Sequence, residues 1–188
     1  MHNWHIRPTD KRIRKAGASS LVMRRYSCRG QSLVELAMVL IPFFFLVFGV
    51  IDFSWALFNQ MNAQDAVREA GRFAATGNHL TDSNNNPISR TASIIRILDQ
   101  LAIGSGASIQ SVTISSVYNG SVTYSQGTGT YSGSGNAGGP SDTVTITATC
   151  AAPMLTTFIG QLFGSDQRYH FTASSTFKNE PFLPSMAP

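Results

Sequence analysis

The sixteen residues from Leu36 to Ile51 carry no polar side chain, and only Pro42 and Gly49 interrupt their run of aliphatic and aromatic groups. Widened to Leu33–Trp55, the segment has 23 residues. A helix rising about 1.5 Å per residue crosses the roughly 30 Å hydrocarbon core of a bilayer over that length, with modest tilt. The segment is too long for the apolar part of a signal peptide, and no small-x-small cleavage signature follows it. One membrane span is expected. The formal net charge of +4 hides an asymmetry that orients it. Residues 1–29 hold eight basic side chains (Arg7, Lys11, Arg12, Arg14, Lys15, Arg24, Arg25, Arg29) and one acid, Asp10. Residues 30–188 hold six basic and nine acidic side chains. Positive flanks stay in the cytoplasm, so the N-terminus is expected there and the C-terminal part outside. The bulk of the chain is acidic and repels phosphate, which argues against a nucleic-acid partner.

Helical periodicity continues past the span. Over Asn59–Ala75, Ala63, Ala66, Ala70 and Phe73 share one face at spacings of three and four. Asp65 with Arg68, and Glu69 with Arg72, are set for i,i+3 pairs. Thr76-Gly77 gives the stop signal, so a helix from about Ser32 to Thr76 is expected, kinked at Pro42. The alanine stripe has two readings: packing on the chain's own sheet, or close approach of neighbouring subunits.

Beyond a polar loop at residues 78–89, Thr91–Ile103 reads as an amphipathic helix with Ile94, Ile95, Leu98 and Leu101 on its apolar face. Strands are expected at residues 110–118, 121–125, 142–150 and 168–177. Asn119-Gly120 suggests a type I′ hairpin turn, and a bulge near Ser115-Ser116 would reconcile the slipped alternation of Val112, Ile114 and Val117. In residues 142–150, Val144, Ile146, Ala148 and Cys150 alternate with threonines. Pro153 should open a short apolar helix over Met154–Phe163, and Tyr169, Phe171, Ala173 and Phe177 should face inward from the last strand. The tail from Lys178 reads as loosely held. The expected class is α+β: a long N-terminal helix packed on a small antiparallel sheet of three or four strands, pilin-like. The divisions are a basic cytoplasmic leader at 1–30, a transmembrane part at 31–57, a helix continuation at 58–77 and an outer domain at 78–188 with a Gly/Ser loop at 126–140.

No constellation for catalysis emerges. Gly133 to Gly138 matches G-x-G-x-x-G, but a strand rather than a helix follows, so no helix N-terminus can meet a pyrophosphate. No G-x-S-x-G nucleophile motif occurs. His2, His5, His79 and His170 are scattered and isolated, with no set of ligands for zinc. Cys28 and Cys150 would lie on opposite sides of the membrane, which disfavours a disulfide. Arg24, Arg25 and Tyr26 stand where a lipidated Cys28 would need an apolar run. Cys150 reads as a small core residue. No cofactor, no metal and no enzymatic activity are expected.

Glu35 stands out because a carboxylate in a membrane helix costs about 2.5–3.5 kcal/mol on insertion scales. Its bland reading is an acid near a helix N-terminus, favourable by about 0.3–1 kcal/mol. Gly30 points further. A cut after Gly30 leaves the α-amine of Gln31 four residues ahead of Glu35, where the two charges can neutralise one another and offset the insertion cost.

Gly30-Gln31-Ser32-Leu33-Val34-Glu35 resembles the cleavage site of type IV prepilins. The run from Arg29 to Gly77 is similar to the TadE-like pseudopilins, in Gly30 and Glu35, Pro42, Gly49 with Asp52, and Ala70-Gly71-Arg72. Asn179-Glu180-Pro181 is similar to that family's C-terminal end. The resemblance implies a minor pilin of the bacterial Tad (Flp) tight-adherence pilus, held in the inner membrane and then passed to the pilus. It implies as partners a prepilin peptidase, TadF-like pseudopilins, the major Flp pilin and the inner-membrane assembly platform. Gly30 and Gln31 would form the processing site, Glu35 the assembly determinant, Pro42 a helix kink and Asp52 the membrane boundary. The TadF-like sister family shares much of this pattern. The alternative is an uncleaved, signal-anchored envelope protein serving as an adhesion or secretion-scaffold subunit.

Overall fold

A computed structural model of the chain describes residues 29–102 and 106–182. The readings placed on Cys28, on His2 and His5, and on the basic cluster up to Arg25 lie outside the described residues, as do Ile103 and residues 183–188. The chain divides into two compact units, Met1–Leu40 and Ile41–Pro188.

Helix α1 (Arg29–Ala75) begins in the first unit and continues through Pro42. Its most apolar 18-residue window has a mean hydropathy of 2.6, and none of that window is buried. A helix at the centre of a water-soluble core would bury such a stretch, so the helix fits a single-pass membrane anchor.

From Asp52 onward one face of α1 is buried in the folded domain. Ala63, Ala66, Val67, Ala70 and Ala74 are all buried, in one cluster with residues of α2 (Arg90–Ala102) and the sheet. The stripe thus packs on the chain's own core. Small side chains there let the helix backbone sit close, as at Gly71, where a Cβ would stand 3.0 Å from the Phe177 ring. The two pairs expected on the outer face form, Arg68 to Asp65 at 3.2 Å and Arg72 to Glu69 at 3.3 Å. Both are exposed and contribute a few tenths of a kcal/mol each, roughly. Gly77 closes the helix with φ 72° and donates its N–H to the Ala74 carbonyl at 3.1 Å.

The sheet has five antiparallel strands: β1 (Ser108–Ser116), β2 (Gly120–Ser125), β3 (Thr130–Gly133), β4 (Thr143–Pro153) and β5 (Arg168–Lys178). Their order is β3-β2-β1-β4-β5. The fold is α+β as expected, with a strand more than the expected count. The addition is β3, inside the stretch read as a Gly/Ser loop. Its side chains are all exposed, so it carries no hydrophobic signal and exists because β2 offers a free edge. The glycines after it serve close approach: a Cβ on Gly135 would lie 2.4 Å from the Ser121 nitrogen.

Central strands β1 and β4 bury Val112, Ile114, Val144, Ile146, Ala148 and Cys150. Threonines line the other face and pair across strands, Thr113 with Thr123 at 2.9 Å and Thr145 with Thr176 at 2.8 Å. The register shift in β1 falls between Ile109 and Ser111, not at Ser115-Ser116. Val117 needs no bulge, because β1 ends at Ser116 and Val117 is an exposed turn residue. The turn is not type I′: Ser116 pairs with Gly120, and of Asn119 and Gly120 only the glycine has positive φ, 75°.

Three further expectations are corrected. Leu101 is exposed, so the buried face of α2 is Ile94, Ile95 and Leu98. Pro153 ends β4 instead of opening a helix, because β4 keeps pairing with β5 up to Pro153–Arg168. Helix α3 covers only Thr157–Gly160, followed by a 3-10 turn at Gln161–Phe163. The described part of the tail, residues 178–182, is held, not loose: Glu180 donates its N–H to the Ala75 carbonyl at 2.8 Å, and Asn179 is buried.

Candidate functional site

The expected processing site lies at the start of α1. Gly30 and Gln31 are exposed, and a Cβ on Gly30 would meet no atom within 4 Å. Gly30 sits inside the first helical turn, where a position just ahead of the helix was expected. The first four N–H groups of a helix have no partner within it, so unwinding that turn costs few hydrogen bonds. Gln31 Nε2 donates to Glu35 Oε1 at 3.1 Å, and both side chains are exposed. The residue-31 side chain thus reaches the Glu35 carboxylate one turn on.

Asp52 is 1% exposed although it belongs to the apolar helix. Its Oδ1 accepts the backbone N–H groups of Leu155 (2.9 Å) and Thr156 (3.1 Å), and its Oδ2 accepts the Thr156 hydroxyl. Thr156 is the N-cap residue just ahead of α3. Asp52 thus satisfies donors at the start of α3 and ties the β4–β5 connection to α1. Nearby, Trp55 Nε1 donates to the Pro153 carbonyl at 3.2 Å.

Another buried polar group is Arg90, which sequence reasoning missed. It is 1% exposed. It donates to the Gly138 carbonyl (2.6 Å), the Ala74 carbonyl (2.7 Å) and Asn179 Oδ1 (3.3 Å), and its guanidinium lies 4.6 Å from the Phe182 ring centroid. Asn179 Nδ2 in turn donates to the Ala137 and Gly139 carbonyls at 3.2 and 2.8 Å. One side chain thereby joins the end of α1, the glycine loop and the tail. Burial pushes its pKa down from the ordinary arginine value. A signal existed in the sequence: an arginine in the first turn of α2 opposes that helix's dipole, and it is stabilised instead in part by the Ala74 carbonyl near the C-terminus of α1.

Asp142 forms a second buried knot, accepting from the Ser116 hydroxyl, from Asn119 Nδ2 at 3.2 Å and from the Thr143 N–H at 2.7 Å. It fastens the β1–β2 turn to β4. His170 is not isolated, for it pairs with exposed Asp166 at 2.6 Å, and that hydrogen bond holds the Asp166 carboxyl below its usual range. Among the described residues no three His, Cys, Asp or Glu side chains cluster to hold a metal.

Residues 30–72 match the model of a family described as TadE-like protein. No curated protein and no solved structure matches the chain. The family match begins at Gly30 and takes in Glu35, Pro42, Asp52 and the alanine stripe, so the resemblance read from the sequence holds over those residues.

Proposed function

With the TadE-like match over residues 30–72 as the premise, we propose that this chain is a minor pseudopilin taking part in assembly or initiation of a Tad (Flp) type IV pilus used in surface adhesion. The observation that carries the reading is that the match starts at Gly30, the residue expected to precede the cleaved bond. In this reading the basic leader keeps the N-terminus in the cytoplasm, and a prepilin peptidase cuts between Gly30 and Gln31. The new Gln31 amine pairs with a Glu35 carboxylate, on its own helix or on a neighbour's. The assembly platform then draws the helix out of the bilayer to meet TadF-like pseudopilins and the major Flp pilin. Glu35 contributes alignment more than net stability, because the desolvation of a buried ion pair cancels much of its attraction. Pro42 bends the span, and Asp52 lies near its outer end.

Mass spectrometry of the protein taken from the cell envelope tests this. The expected mature chain begins at Gln31 and has 158 residues. A mature chain still carrying Arg24 and Arg25 would falsify the processing step and support an uncleaved, signal-anchored subunit instead.

A further inference from the structure

The connection between β4 and β5 carries no charged residue from Met154 to Phe163. Four of its large apolar side chains point outward: Leu155, Phe158, Leu162 and Phe163 are 56, 65, 70 and 46% exposed. This is not loose chain. Asp52 holds its backbone at Leu155 and Thr156, and Ile159 is buried, with its Cδ1 3.8 Å from where a Cβ on Gly49 would stand. The Phe158 ring meets Phe45 edge to face at 5.6 Å. These contacts lay the connection along residues 45–52 of α1, within the stretch long and apolar enough to cross a membrane.

We infer that the β4–β5 connection inserts into the same bilayer as α1, seating the domain in lipid through Leu155, Phe158, Leu162 and Phe163. The argument from length is direct. From Leu33, 12 residues precede Phe45, and at about 1.5 Å each they cover about 18 Å, short of a roughly 30 Å hydrocarbon core. A domain gripping α1 from Phe45 onward cannot stand clear of the membrane while α1 still spans it. With the connection in lipid, the span extends to Trp55, an amphipathic residue of the kind that sits at the membrane–water boundary. The buried carboxylate of Asp52 fits this placement. Lipid offers it no hydrogen bond, and the connection supplies three donors and a cover. The polar Asp166–His170 pair begins only after Phe163, where the chain returns to the sheet. Extraction into a filament must then free two lipid-seated elements, not one.

The inference rests on α1 being a membrane anchor, and the test separates the two. The full chain with Cys28→Ser is reconstituted into vesicles of phosphatidylethanolamine and phosphatidylglycerol, and nitroxide labels are placed singly through Phe158→Cys and Leu162→Cys. Both sites are exposed, so the core is untouched, and the chain without an added cysteine gives the labelling blank for buried Cys150. Phe43→Cys in the span and Tyr131→Cys on β3 give the lipid and water references. The expected result is that labels at 158 and 162 relax with dissolved oxygen and are protected from a water-soluble nickel chelate, matching the label at 43. A water-like response at 158 and 162, matching 131, overturns the inference. So does exclusion of both reagents, which means that protein, such as a second copy, covers the tip. If the label at 43 itself responds as in water, the anchor reading fails and the inference with it.

Discussion

Replacing Arg90 by methionine should unfasten three segments at once. The variant removes donors to the Gly138 and Ala74 carbonyls and to Asn179 Oδ1. The Ala74 carbonyl keeps a second donor, the Gly77 N–H at 3.1 Å, so it is not orphaned. Gly138 and Asn179 lose the partner that Arg90 gives them, and each buried acceptor left unsatisfied costs about 1–3 kcal/mol. The contact with the Phe182 ring adds about 0.5–2 kcal/mol to the loss. Against this, removing a buried cation recovers desolvation energy, and Arg90 Nε has no partner to lose. The balance is a loss of about 3 kcal/mol. For a domain of this size that lowers the melting temperature by about 10 °C. Arg90→Lys keeps the charge but offers a point donor in place of a planar fork, so its loss should fall between wild type and Arg90→Met. The assay is thermal unfolding of the full chain in detergent, followed by circular dichroism of the sheet. If Arg90→Met melts at or above the wild-type temperature, the buried charge contributes nothing net and the clasp argument fails.

Glu35→Ala should be cut normally yet accumulate in the inner membrane and give no pili, whereas Gly30→Leu should block cutting itself; immunoblotting of envelope fractions beside electron microscopy of the cells decides, and normal pili containing the alanine variant would remove Glu35 from assembly. Reporter fusions after Gly77 and after Pro188 should be active only as extracytoplasmic reporters, since the basic residues cluster ahead of the span; cytoplasmic activity at both refutes the orientation. Burial pushes the Cys150 thiol up to about 11 from 9.0, so it stays protonated near neutral pH. A maleimide should label it in the Cys28→Ser chain only on unfolding, and rapid native labelling would contradict its place in the core. The same shift lowers stability as pH rises from 9 towards 11, because the unfolded thiol ionises first.

The local periodicities settled a good part of this molecule. The long apolar run marked the anchor, the spacing of Ala63, Ala66 and Ala70 marked the inward face of α1, and strict alternation in residues 144–150 marked strand β4. Each of these is a property of neighbouring residues on one element, which is why sequence alone carries it. The pairing of Gly30 with Glu35 is proposed on the same local ground, as two groups one turn and a residue apart. What the sequence left open depends on partners distant in the chain. Strand β3 has no buried side chain and exists only because β2 pairs with it. Arg90 meets carbonyls 16 and 48 residues away, and Asp52 meets donors about a hundred residues away. Asp52 read as a membrane-boundary acid through the family resemblance, and its own segment showed no partner for it. Only tertiary folding brings the start of α3 against it, where low dielectric makes satisfied donors necessary and a lone carboxylate untenable.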